Sequence, residues 1–113
     1  MHELSITQNI VAIATDHANG ARVCRITLEI GQLTAIMADS IRFCFDVCAQ
    51  GTPLESATLD IIERPGIGQC RVCGNQLALD QPFGVCDCGS IQLDIIQGEE
   101  LTIKELETEA LCA

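Results

Sequence analysis

Residues 66–98 read GIGQCRVCGNQLALDQPFGVCDCGSIQLDIIQG, and the spacing of the four cysteines in this stretch decides the fold. Cys70-Arg71-Val72-Cys73-Gly74 is a C-x-x-C-G knuckle, in which the glycine lets the backbone turn so that amide hydrogens point at the thiolates. After twelve intervening residues, Cys86-Asp87-Cys88-Gly89 supplies a second cysteine pair followed by glycine. Two such knuckles make a tetrahedral four-sulfur site, for which zinc is the leading ion. The second pair is C-x-C, one residue shorter than the C-x-x-C that normally closes a zinc ribbon, and so forms a tighter chelate. These residues leave open a three-cysteine site completed by another group, rubredoxin-like iron, and a dithiol redox pair. A zinc held by all four sulfurs has no free position for water or substrate and is structural.

The flanks of this stretch have a different pattern. Leu59-Asp60-Ile61-Ile62 reads as a strand stopped by Pro65-Gly66, and Leu101-Thr102-Ile103-Lys104 reads as another. The glycine-rich segment between them lacks apolar periodicity and is expected to be a metal-stabilised insertion between two strands of one sheet. Upstream, Ile6, Ile10, Ile13 and Ala14 recur at helical spacing between Leu4 and His17, and Asn19-Gly20 supplies a stop. Cys24, Ile26, Leu28 and Ile30 then alternate with Val23, Arg25, Thr27 and Glu29, the period of a half-buried strand ending near Gly31. Asp39-Ser40 can cap a second helix whose Ile41, Cys44, Phe45 and Cys48 share a face before Gly51.

The expected fold is therefore α+β: two helices packed on a three-stranded sheet, with an inserted four-cysteine zinc ribbon. The expected division is a helix/sheet domain over 1–65 and 99–113 and a ribbon over 66–98. Cys24, Cys44 and Cys48 fall on apolar sides and read as small buried hydrophobes, and Cys112 reads as an exposed spare thiol.

A chain of 113 residues holds one modest domain with a small satellite, and with three Phe, no Trp and no Tyr its core must be aliphatic. The net charge of -10, with six scattered basic residues, disfavours nucleic-acid binding, which needs a basic surface. No stretch reaches the roughly 18 apolar residues of a membrane span, and the N-terminus has no secretory pattern, so a cytoplasmic protein is expected. In that reducing compartment the cysteines are not expected to pair as disulfides. There is no G-x-S-x-G, phosphate loop or H-E-x-x-H, so no enzymatic chemistry has a local signature.

The N-terminus carries a second candidate site. The Met1 amine, the deprotonated His2 amide and the His2 imidazole form fused chelate rings without any folding. A fourth donor from Glu3 or elsewhere would complete the square-planar nitrogen field that suits Ni(II) or Cu(II). The amine, with a reference pKa of about 7.7 to 8.0, can lose its proton to a metal near neutral pH. An incidental surface histidine is the plain alternative, and His17 reads as a packed or edge histidine of the first helix.

Met1-His2-Glu3-Leu4-Ser5, Leu28-Glu29-Ile30-Gly31, Phe43-Cys44-Phe45-Asp46 and the two cysteine pairs together resemble the HypA/HybF family, nearly end to end. That family consists of nickel metallochaperones for hydrogenase maturation. The resemblance implies the fold given above, structural zinc on Cys70, Cys73, Cys86 and Cys88, and nickel carried as cargo by Met1, His2 and Glu3. It implies no enzymatic activity. It also implies two partners, a nickel-handling GTPase of the same pathway and the precursor of a nickel-iron hydrogenase large subunit; a homodimer is compatible with it. The sequence departs from the family pattern in the short Cys86-Asp87-Cys88 knuckle. It also departs at Met37, where an acidic residue is expected and Asp39 is shifted by two.

Overall fold

In the computed structural model, residues 3–109 are described. They form α1 (Glu3–Ala18), β1 (Val23–Gly31), a short 3-10 turn (Gln32–Thr34), α2 (Ala38–Ala49), β2 (Thr58–Arg64), β3 (Gly66–Cys70), β4 (Gln76–Leu79), β5 (Leu93–Gln97) and β6 (Leu101–Thr108). The strands make two three-stranded sheets, ordered β2-β1-β6 and β4-β3-β5. The two helices and the first sheet are the expected helix/sheet fold. The second sheet gives the ribbon regular structure that its sequence did not announce.

The chain divides into two compact units. One takes residues 3–29, 36–62 and 102–109; the other takes Ile30–Ala35 and Glu63–Leu101. The expected insertion, 66–98, lies inside the second unit, which also takes in the short turn after β1.

In the first unit α1 packs on α2. The buried face of α1 is Thr7, Ile10, Val11, Ala14 and Ala18, spaced i, i+3, i+4, i+7 and i+11. This corrects the expected face: Ile13 is exposed and Thr7 is buried in its place. Thr7 can be buried because its hydroxyl donates to the Glu3 carbonyl at 2.6 Å, leaving no polar atom unpaired. The helix ends where expected, with Asn19 and Gly20 at φ 53° and 87°.

On α2 the buried stripe is Ile41, Phe45 and Ala49, and Cys44 and Cys48 lie half-buried one residue to its side. The cap differs from expectation. The helix starts at Ala38 after Met37, and no side chain caps it. Asp39 instead sits in the first turn, where its carboxylate suits the helix dipole, and accepts from Arg42 at 2.8 Å. β1 is the middle strand, and residues of both parities are buried along it, among them Val23 and Thr27 as well as Ile26 and Leu28. Its Arg25 pairs with Asp60 of β2 and with Glu107 of β6, at 3.5 Å for the latter, which spans the sheet.

In the second unit β3 pairs antiparallel with β4 (Gly66↔Leu79 to Gln69↔Gln76) and with β5 (Gly68↔Ile95 to Cys70↔Leu93). At its base Gly31 donates to the Glu100 carbonyl at 2.7 Å and Leu33 to the Gly98 carbonyl at 2.9 Å. Gly31 approaches the Gly98 carbonyl so closely that no Cβ fits. Gly98 itself has φ 117°, a conformation that glycine reaches without strain.

Candidate metal centre

β3 ends at Cys70, so the first knuckle is the turn that leaves the central strand of the ribbon. Gly74, at φ 80°, closes it by donating to the Cys70 carbonyl at 3.0 Å, and the Cys70 amide donates to Asn75 at 2.9 Å. Inside this turn the amides of Val72 and Cys73 point at the Cys70 sulfur, at 3.4 and 3.5 Å. The second knuckle repeats the device. Gly89, at φ 92°, donates to the Cys86 carbonyl at 2.8 Å, and Cys86 donates to Ser90 at 2.9 Å.

The knuckles face each other. The Sγ atoms of Cys70 and Cys88 are 3.7 Å apart, those of Cys73 and Cys86 are 3.5 Å apart, and all four lie within 4.8 Å of one another. A disulfide would require about 2.05 Å. Four sulfurs each about 2.3 Å from one zinc stand about 3.8 Å apart along the edges of a tetrahedron. The cluster therefore fits a four-thiolate ion, and the short C-x-C knuckle does not prevent its two sulfurs from joining the other pair. Cys70 and Cys86 are buried, whereas Cys73 and Cys88 are exposed.

The amide of Cys73, more than any other group, holds the Cys70 thiol down at about 6; the Val72 amide adds to this, while burial opposes it. Cys86 and Cys88 are pushed up. Amide hydrogen bonds from Cys88 and Ser90, respectively, would lower them, but sulfur neighbours and burial outweigh these. The Cys70 thiolate is thus prepared for a cation before Cys86 and Cys88 ionise.

The remaining expected site residues fall elsewhere. Met1, His2 and Cys112 lie outside the described residues. Glu3 begins α1, and its carboxylate accepts from the Met37 amide at 3.5 Å, so the position where an acidic residue was expected meets an acid from α1 instead. His17 is exposed in the last turn of α1. Cys44 and Cys48 are free, and Cys48 is raised by burial first and by Cys44 second. Cys24 is disulfide-bonded, which corrects the expectation of a buried free thiol; it is only half-buried near the start of β1. Among the described residues, Cys70, Cys73, Cys86 and Cys88 are the one group of three or more metal-ligating side chains close enough to share an ion. No described helix is long and apolar enough to cross a membrane.

Fold and cluster together define a class, a small helix/sheet protein carrying a four-cysteine metal ribbon. The sequence pattern described as "Hydrogenase/urease nickel incorporation, metallochaperone, hypA" matches residues 1–108. The chain belongs to the HypA family. It is 67% identical over 112 residues to the hydrogenase maturation factor HypA of Nostoc punctiforme, covering 99% of each chain. It is 69% identical over 113 residues to that of Rippkaea orientalis, again covering 99% of each. The solution structure of a HypA protein superposes with a TM-score of 0.72 at 30% identity, covering 97% of this chain and 98% of that one. The solution structure of the nickel metallochaperone HypA from Helicobacter pylori gives 0.69 at 27%, covering 96% and 97%. The family's role is nickel incorporation, a maturation function and not catalysis of a covalent reaction.

Proposed function

We propose that the chain carries Ni(II) at its N-terminus and delivers it to the precursor of a nickel-iron hydrogenase large subunit. The family description covers both hydrogenase and urease. Hydrogenase is chosen because the relatives at 60–69% identity are named hydrogenase maturation factors. A nickel-handling GTPase of the same pathway would take part, and the hand-over would occur in the cytoplasm. The Met1 amine, the His2 imidazole and the Glu3 backbone nitrogen would hold nickel in a planar nitrogen field. Ligands at a chain terminus can be exchanged one at a time for those of a receiving protein.

Cys70, Cys73, Cys86 and Cys88 would hold zinc permanently, because a closed four-thiolate set has no position for an exchanging ligand. The observation that supports this division of labour is the convergence of four sulfurs within 4.8 Å of one another. It uses four of the described cysteines in one site and leaves the harder nitrogen donors of the M-H-E start for a second metal.

One residue added before Met1 tests the reading, because it converts the amine to an amide and removes the chelate ring that joins it to the imidazole. Isothermal titration with Ni(II) should lose the high-affinity site in this protein and in His2→Ala, while zinc content is unchanged. Stoichiometric binding by the extended protein at wild-type affinity would sink the proposal.

A further inference from the structure

Two of the three phenylalanines and several aliphatic residues of this chain are exposed, and four of these residues gather around the cysteine cluster. Val72, Phe83, Val85 and Ile91 are 66%, 65%, 63% and 74% exposed. Each stands within three residues of a cluster cysteine along the chain. β3 and β5 pair as far as Cys70↔Leu93, and the Arg71 amide continues the ladder to the Gln92 carbonyl at 2.9 Å. Val72 follows Arg71 in the turn of the first knuckle, and Ile91 precedes Gln92 just before β5. Ile91 follows Ser90, whose carbonyl accepts from Cys86, the residue after Val85. Gly84 packs so tightly on Leu79 that a Cβ would stand 2.9 Å from it, so the turn toward the sheet is made by the residue without a side chain, between exposed Phe83 and Val85. The chain from the first knuckle to the second is thus joined through the cysteines, whose sulfurs converge on one point.

We propose that this apolar rim, assembled by the metal-bound knuckles, is a docking surface for a basic amphipathic segment of a partner protein. Exposed apolar and aromatic residues gathered near one centre are typical of interfaces. Charge selects the occupant. From Val72 to Leu101 there is no Lys or Arg, and Asp87 stands inside the second knuckle itself. Arg71, just before this stretch, is already engaged by Asp94 at 2.7 Å. Four thiolates around one divalent cation leave a further double negative charge at the centre of the rim. A second copy of this chain, at net -10, and a nucleic acid would both be repelled, whereas Lys or Arg flanking an apolar stripe would be attracted. The surface also gives the ribbon a role in recognition that does not depend on where nickel binds.

The test uses the full-length, zinc-loaded protein and a synthetic amphipathic Leu/Lys peptide, with a Leu/Glu counterpart and an all-Lys peptide as controls. Amide shifts in the NMR spectrum should centre on residues 72, 83–85 and 91. The affinity should fall about tenfold or more in Phe83→Ser and in Val72→Ser combined with Ile91→Ser, with zinc content unchanged, since central apolar contacts carry most interface energy. Phe43→Ser on α2 should bind as wild type, and zinc removal should abolish binding. Four results would each overturn the proposal: shifts centred on α1 or α2, equal binding of the all-Lys or Leu/Glu peptide, binding that survives zinc removal, or a dimer that Phe83→Ser dissociates. Nickel titration of the same variants should match wild type, and no outcome with the peptides bears on the N-terminal chelate.

Discussion

The sulfur of Cys73 stands 3.5 Å from that of Cys86, across thirteen positions of sequence, so an ion at the centre would tie the two knuckles to each other. The one strand between them, β4, is short and the ribbon's core is small, with Leu79 and Leu93 among its few inward apolar residues. Binding free energy is then largely folding free energy for this unit. Cys73→Ser should release the zinc and collapse amide dispersion for residues 66–98, while α1, α2 and the β2-β1-β6 sheet keep their native spectrum. Metal analysis beside the NMR spectrum checks this, and full zinc occupancy in Cys73→Ser would remove that cysteine from the ligand set.

Removing zinc should also remove the early ionisation of Cys70. In the folded knuckle the Cys73 and Val72 amides hold this thiol at about 6, while Cys86 and Cys88 are pushed above the ordinary thiol range. Because the Cys70 folded value is depressed, its contribution to the folded ribbon is present above the ordinary thiol value and is lost as pH falls through about 6. Once the ribbon unfolds, those amides no longer face the sulfur, so thiolate absorbance of the metal-free protein should rise in the ordinary thiol range with no earlier step. An early step that is missing in Cys70→Ser would show that the first knuckle stays folded without its ion.

Phe45 and Phe43 lie two residues apart on α2 and should respond in opposite ways to the same change. Phe45 is 2% exposed on the buried stripe, so Phe45→Ala should cost about 3 to 5 kcal/mol of unfolding free energy. Phe43 is 80% exposed, and Phe43→Ala should stay within about 0.5 kcal/mol of wild type. Chemical denaturation of the helix/sheet unit decides it, and equal costs at the two positions would mean that the buried face of α2 is misassigned.

Gly31→Ala should destabilise the second unit. Its Cβ would enter the Gly98 carbonyl, and the obstacle is backbone, which cannot move aside as a flexible side chain can. A cost of about 1 to 3 kcal/mol, typical of overpacking, is expected. It should appear as earlier thermal loss of the ribbon resonances, and a variant as stable as wild type would show that the close approach is absent in solution.

Much of this architecture was legible before any coordinates. The four ligands of the candidate zinc site are readable because chelation by a knuckle is local chemistry: Cys70, Cys73 and Gly74, then Cys86, Cys88 and Gly89, carry their geometry in a few consecutive residues. The ends of α1 at Asn19-Gly20 and of α2 before Gly51 are equally local, since each depends on a glycine at positive φ. The M-H-E start is visible as a chelating sequence for a similar reason, because its donors belong to adjacent residues and need no fold to bring them together.

What the tertiary structure alone decided concerns partners distant in sequence. Ile13 and Thr7 exchange their expected places because the buried face of α1 is set by what packs on it, and a threonine whose hydroxyl is satisfied by Glu3 is tolerated there. The β4-β3-β5 sheet is built on Gly66, Gly68, Gln69 and Gln76, residues without apolar alternation, so only backbone pairing across the knuckles reveals it. The same pairing sets Cys70 opposite Leu93, which no spacing in the sequence predicts. Sequence by itself determined which residues can bind metal, because ligand chemistry resides in the side chain and its near neighbours. The tertiary structure determined which apolar residues are core and which are left facing solvent, because burial belongs to both partners of a contact.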